Sequence, residues 1–298
     1  MTERLLASVG VVIVAYNSAA FITTALQHLP LTELSRVVVV DNGSTDGTPE
    51  LVEAMELPRV VVIRETNRGF GAGCNVGLAR LVDESQVLLL NPDAVIEPDD
   101  LRRLVRYLQT HPQVALVAPR LWRSGTPLAS AGRIATVWTE LRYVVPSRLA
   151  RFLPDRQLPP ETAESGAVGT VEGACMLADL RALRAVGAFD ERYFLFFEEH
   201  DLARRLRVGG WQVHLCAAAR AEHAVGASRR TTPADGRGHY FASTTRYLRY
   251  WGPPGARLLL CIVARGTWRW QVRTGRMSQA DADVLSSGLL SGLTDSSV

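Results

Sequence analysis

The segment Val37–Thr48, VVVVDNGSTDGT, decides how the rest of the chain is read. Its four consecutive valines show no polar alternation, the pattern of a strand covered on both faces, as in a parallel sheet. The run stops at Asp41, Asn42-Gly43 supplies a left-handed turn, and Ser44 or Asp46 can cap the helix that starts at Thr48. Buried strand, turn and helix in that order form half of a βαβ unit.

The same grammar recurs outward from this segment. Apolar, β-branched runs stand at Val9–Val14, Val60–Ile63 and Val87–Leu90, and helical patterns at Ala19–Leu29, Thr48–Met55 and Ala72–Leu81 alternate with them. A helix over Asp99–Gln109 follows Pro98, a good helix-start residue, with Asp99 and Asp100 as first-turn charges, and a fifth strand is expected at Val114–Ala118. The fold class is therefore α/β, with a mostly parallel sheet flanked by helices. From Pro119 to Thr170 periodicity fades among six prolines, and one helix is expected over Val137–Phe152. Order returns with a strand at Val171–Ala178 and a helix from Leu180, capped by Asp179 and stopped by Gly187. In the next stretch Phe196, Phe197, Leu202 and Leu206 are expected to form one apolar side of a helix.

Composition limits the function. The 298 residues are 47% hydrophobic and 21% charged, which describes a folded globular chain and excludes a disordered or fibrous one. Cys74, Cys175, Cys216 and Cys261 lie far apart with no CxxC spacing, so neither a structural zinc site nor a disulfide frame is expected, and a reducing cytosol fits. The apolar run near the N-terminus reads as a first buried strand, because Tyr16-Asn17 follows without the small-residue pattern of a signal peptide. Leu258–Ala264 is far short of the ~20 apolar residues that span a bilayer. All 33 basic residues are arginine, which a GC-rich genome explains as readily as function. Between Arg220 and Arg276 eleven arginines face only Glu222 and Asp235, so the basic end points toward an anionic partner.

In open α/β sheets ligands bind outside the carboxyl ends of the strands. The residues to read are then Ala15-Tyr16-Asn17, Asp41 to Ser44, Glu65 to Gly69, and Asn91-Pro92-Asp93. Asp41 is either a turn acid or an acceptor for the N3–H of a uracil or thymine ring. Asn67-Arg68-Gly69-Phe70-Gly71-Ala72-Gly73-Cys74-Asn75 resembles a glycine-rich phosphate loop, but Cys74 breaks the dinucleotide fingerprint. Its glycines either admit an anion to the backbone or only allow close packing. Asn91 and Asp93 are hard oxygen ligands suited to Mg²⁺ or Mn²⁺ on a diphosphate, or else an ordinary Asn-Pro turn with a solvated acid. His223 is the candidate second ligand, with a surface histidine as the plain alternative. Glu198, Glu199 and Asp201 crowd a helix start, where they complement the dipole or, partly desolvated by Phe194 to Phe197, supply a catalytic base.

Taken in order, VVIVAYN, VVDNGSTDGT, NRGFGAGCNVGL, LLLNPDA, VEGACML, GAFDERYFLFFEEHDL, GWQVHL and EHAVGAS resemble the inverting family-two glycosyltransferases of the GT-A fold, over roughly Val11–Ser228. The NPD form and the H-x-x-G-x-S tail are most similar to bacterial rhamnosyltransferases that use dTDP-rhamnose. The resemblance implies a GT-A domain at 1–228, with a nucleotide-binding half at 1–118 and an acceptor and catalytic half at 119–228, and a basic helical extension at 229–298. It implies nucleotide-sugar contacts at Ala15, Tyr16, Asn17, Asp41, Asn67, Arg68, Gly69, Phe70, Asn75, Asn91, Gly173 and Ala174, and a Mg²⁺ or Mn²⁺ ion on Asp93 and His223. Glu199 becomes the general base, with Glu198 or Asp201 sharing or supporting its work; Asp is usual where Glu199 stands. The implied partners are a nucleotide sugar and a glycan or lipid-linked acceptor, with no nucleic acid and with room for a homodimer. The implied place is the cytoplasm, with room for peripheral contact at the inner face of the cell membrane. Arg257–Trp270 mixes arginine, leucine and tryptophan, which suits either a membrane interface or a terminal helix with snorkelling arginines.

Overall fold

The computed structural model describes residues 5–160, 164–224 and 233–294. The first part alternates as β1 (Val9–Ala15), α1 (Ile22–His28), β2 (Arg36–Asp41), α2 (Thr48–Ala54), β3 (Val60–Arg64), α3 (Phe70–Leu78), β4 (Gln86–Leu90), β5 (Ala94–Ile96), α4 (Pro98–Thr110) and β6 (Val114–Arg123). There follow β7 (Thr126–Pro127), β8 (Ala131–Gly132), α5 (Val137–Leu141), α6 (Ser147–Ala150), β9 (Gly166–Ala167), β10 (Thr170–Val171), β11 (Cys175–Asp179), α7 (Leu180–Ala185), α8 (Glu198–Val208) and β12 (Gln212–His223). Helices α9 (Pro233–Trp251), α10 (Ala256–Arg273) and α11 (Gln279–Thr294) complete the chain.

The main sheet has the order β3-β2-β1-β4-β11-β6-β12-β5. Strands β3, β2, β1 and β4 run parallel, β11 is antiparallel to both its neighbours, and β12 returns parallel to β6. Consecutive strand residues serve opposite cores. Val11, Ile13, Val37, Val39, Leu88 and Leu90 pack with α1 and α4 on one face, while Val12, Val14, Val38, Val40, Val87 and Leu89 pack with α3, α7 and α8 on the other. Burial on both faces is why these strands read as unbroken apolar runs.

Helix α3 approaches the sheet closely because of its glycines. A Cβ at Gly73 would stand 2.7 Å from Val14 Cγ1, and one at Gly77 would run into Val12 Cγ1. These two glycines therefore serve packing of the helix on β1. Gly69, just before the helix, has φ 103°, a conformation open to glycine.

Four local expectations differ from the structure. Strand β6 runs on past Ala118 to Arg123, because β12 pairs with it as far as Trp122. The single helix over Val137–Phe152 is two short ones, since Pro146 takes an extended ψ of 146° between them. The strand at Val171–Ala178 is divided: β10 pairs β8 in a separate two-stranded sheet, and β11 begins only at Cys175. Phe196 and Phe197 lie outside the helix, with left-handed φ of 68° and 67°, and α8 starts at Glu198. Two bulky residues in that region are strained, and packing must hold them. Phe197 is buried, 5.4 Å from the Tyr240 ring and 5.3 Å from that of Tyr247.

The chain forms two compact units: Met1–Arg133 with Gln157–Arg192 and Glu199–Ser228, and Ile134–Arg156 with Tyr193–Glu198 and Arg229–Val298. The second is helical, with a core that includes Val137, Leu141, Tyr193, Phe197, Leu260 and Trp268. Inside it Glu140 is almost fully buried and accepts hydrogen bonds from Tyr240 Oη at 2.5 Å and from Arg156 Nη1 at 3.1 Å. Burial pushes the Glu140 carboxyl above its ordinary range, against the opposing pull of Arg156, and pushes the Tyr240 hydroxyl up as well.

Candidate active site

The first unit gathers the expected donor-side residues at one edge. Asp41 ends β2 beside Ala15, its register partner on β1, and the Asn91-Pro92-Asp93 turn leaves β4 on the other side of β1. Asp41 is buried; its Oδ2 accepts from the Ser44 amide at 3.1 Å, while Oδ1 has no hydrogen-bond partner among the described residues. A buried carboxylate oxygen without a partner is costly, so a donor from a ligand would be well used there.

The turn below Asp41 is tied down by its own polar residues. Asn17, itself at left-handed φ 48°, takes the Thr45 amide on Oδ1 at 2.8 Å and gives its own amide to Ser44 Oγ at 2.9 Å. Asp46 accepts from the Ala19 amide at 3.0 Å and from Thr48 N and Oγ1, and Thr48 Oγ1 takes the Ser18 amide at 2.9 Å. Burial works against the charge on Asp46, but the hydrogen bonds from Thr48 and Ala19 prevail and hold its carboxyl below the usual range. Asn42, next along the turn, reaches the Gly69 carbonyl through Nδ2 at 3.1 Å and so joins this turn to the glycine loop.

Within that loop Asn67 Oδ1 accepts the Gly69 amide at 3.1 Å. Asn75 is occupied on both sides of its amide, with Oδ1 taking the Phe189 amide at 3.0 Å and Nδ2 giving to the Phe189 carbonyl and to Glu191. Arg68 pairs with the same Glu191 at 3.0 Å. Phe70 meets Phe189 edge-on at 6.3 Å and is the nearest neighbour of the open position at Gly173. The Asn91 amide donates to the Ala174 carbonyl at 2.8 Å, which brings Gly173-Ala174 alongside the Asn-Pro-Asp turn. Tyr16 is partly exposed at the end of β1.

Asp93 and His223 meet because β5 pairs antiparallel with the end of β12, Ala94 opposite His223. The Ala224 amide donates to the Asp93 carbonyl at 3.0 Å, and His223 Nε2 lies 3.3 Å from Asp93 Oδ1. Both line a cavity of about 220 Å³ with Pro92, Phe21, Arg123 and Glu222. The Val225–Ser228 end of the histidine motif lies outside the described residues.

The acids at the start of α8 differ in environment. Glu198, His200 and Asp201 are buried, and Glu199 is half-buried. Asp201 Oδ2 accepts from Arg205 Nε at 2.7 Å one turn along, and Arg205 also donates to the Val186 carbonyl at 2.6 Å. Arg205 was the missed member of this group; its i,i+4 spacing from Asp201 was visible in the sequence.

Comparison with known proteins identifies relatives of the chain. The model of the family described as glycosyl transferase family 2 matches residues 10–164. The N-acetylglucosaminyl-diphospho-decaprenol L-rhamnosyltransferase of Mycobacterium tuberculosis is 29% identical over 259 residues, which cover 80% of this chain and 83% of that protein. Rhamnosyltransferase WbbL of Escherichia coli (strain K12) is 26% identical over 187 residues, 60% of this chain and 70% of that one. Among solved structures, the mannosyltransferase PcManGT from Pyrobaculum calidifontis, in complex with GDP-Man and Mn²⁺, superposes with a TM-score of 0.57 at 19% identity, covering 97% of this chain and 81% of that one. That likeness is one of fold, the GT-A arrangement of a mostly parallel sheet between helices. With the family match spanning more than half of the residues, the chain belongs to glycosyl transferase family 2 and is a glycosyltransferase.

Proposed function

We propose that this enzyme transfers L-rhamnose from dTDP-rhamnose, with inversion, to a hydroxyl of a lipid-diphosphate-linked sugar or a related envelope glycan. The observation that carries the nucleotide part is the buried Asp41 Oδ1, which has no hydrogen-bond partner among the described residues and sits where a strand end would receive a base. A thymine or uracil N3–H is a donor of the right kind. Rhamnose and the lipid-linked acceptor rest on the names of the mycobacterial and Escherichia coli relatives.

The donor set of Asp93 and His223 fits a divalent cation. One carboxylate and one imidazole, 3.3 Å apart, are oxygen and nitrogen donors that would hold a Mg²⁺ or Mn²⁺ ion. When bound, that ion would neutralise charge building on the departing diphosphate. Asp93 and His223 would be its protein ligands. Asp41 accepts the imide N–H of the base, and the side-chain-free Gly173 leaves room beside Phe70 for the sugar. Glu199 takes the proton from the acceptor hydroxyl, whose oxygen displaces the nucleotide in one in-line step without a covalent intermediate.

Thymine and uracil present the same N3–H, so a UDP-sugar donor is the second reading. Thermal-shift measurements with dTDP-rhamnose, dTDP and a panel of UDP sugars, each with Mg²⁺ or Mn²⁺, separate them. A ligand at 100 times its Kd stabilises the folded chain by about 2.7 kcal/mol. The expected result is a metal-dependent shift with dTDP and dTDP-rhamnose that Asp41→Ala abolishes. A shift with a UDP sugar and none with the dTDP compounds would sink the rhamnose donor.

A further inference from the structure

Helix α10 has two sides of opposite character. Ala256, Leu260, Ala264 and Trp268 recur every fourth residue and are buried in the core of the second unit. On the opposite side Leu258 and Ile262 are 62% and 61% exposed, and exposed Arg265, Arg269 and Arg273 continue the line. At 3.6 residues per turn these five fall within an arc of about 80°. Trp270, 41% exposed, borders the stripe, and the Arg276 guanidinium lies 4.7 Å over its ring. From Gly236 to Ala280 there are eight arginines and no aspartate or glutamate.

We infer that this outward stripe of α10 docks on an anionic phospholipid bilayer, with the helix axis in the plane of the membrane. The leucine and isoleucine side chains enter the headgroup boundary, tryptophan sits at its level, and the arginines meet lipid phosphates while their stems cover apolar surface. Charge complementarity selects this occupant. A second copy docked through the same stripe would set three arginines against three. A nucleic acid would leave Leu258 and Ile262 unused, since its backbone rewards cations alone. No helix among the described residues is long and apolar enough to cross a membrane, so a contact made by α10 is superficial.

The test is co-sedimentation of the full-length protein with phosphatidylcholine vesicles, with and without phosphatidylglycerol, at low and high salt. Wild type should bind the anionic vesicles, and less so at high salt. Arg265→Gln/Arg269→Gln/Arg273→Gln should lower partition on the order of a hundredfold, from the attraction each arginine contributes near an anionic surface. Leu258→Ser/Ile262→Ser should weaken binding that survives high salt, with circular-dichroism melts showing that both variants remain folded. Equal partition of wild type onto neutral and anionic vesicles, or of the arginine variant and wild type, would overturn the proposal. So would light scattering that shows Leu258→Ser/Ile262→Ser dissociating a dimer while vesicle binding is unchanged. The proposal is independent of the donor reading: nucleotide-dependent thermal shifts should persist in both variants, and their absence in wild type would count against the donor alone.

Discussion

Three carboxylates crowd the first turn of α8, and their surroundings differ. Asp201 is engaged by the Arg205 guanidinium at 2.7 Å and Glu198 is buried, whereas Glu199 is half-buried. If Glu199 is the base, Glu199→Gln should lower kcat by ~10²–10⁴ while the KM for the donor stays close to wild type. Turnover near normal in that variant would take Glu199 out of the role. Asp201→Asn keeps a weaker hydrogen bond to Arg205 and should cost less activity than Glu199→Gln in the same steady-state assay. The acids themselves were legible as a cluster at a helix start. Their different burial was not, because it depends on tertiary packing, and Phe196 and Phe197 take left-handed backbone that a helical pattern count assigns to the helix.

At the scale of elements, α3 and the β2–α2 turn are held by different physics. A methyl at Gly77 would overlap Val12 on β1, so Gly77→Ala should cost about 1–3 kcal/mol by overpacking, read as a lower urea midpoint at unchanged slope. An unaltered midpoint would mean that the helix can shift outward freely. The turn depends on charge instead. Asp46 is held below its ordinary pKa, so it stabilises the fold when ionised, above the unfolded value of about 4, and that contribution disappears as pH falls through the lower folded value. Thermal melts should therefore show wild type above Asp46→Asn at neutral pH, with the gap closing below about pH 4. A gap of the same size at both ends would assign the effect to shape rather than charge. The glycines of the 67–75 loop left two readings open in the sequence. Only the distance from Gly73 and Gly77 to the β1 valines assigns those two to packing.

Across the whole molecule, each unit has its own core, and the helical one contains a buried ionic network drawn from distant segments. Removing Arg156 would leave the Glu140 carboxylate buried with less compensation, so Arg156→Met should destabilise by about 3–5 kcal/mol, and Glu140→Gln added to it should recover part of the loss in a double-mutant cycle. Additive losses would show that the two residues act separately. Nothing local marks Glu140, Arg156 or Tyr240, because their neighbours in sequence are ordinary. By itself the sequence determined the βαβ order, the strands and the acids at their ends, since burial on both faces writes an unbroken apolar run and the run's end marks where a ligand can sit. It determined as well that Asp41 and Asp93 come from strands of one sheet. Only the tertiary structure decided that His223 stands 3.3 Å from Asp93, that Asp201 is occupied by Arg205, and that Phe197 leaves the helix. Those contacts come from antiparallel pairing and side-chain packing between residues far apart in the chain, where neither periodicity nor local propensity carries a signal.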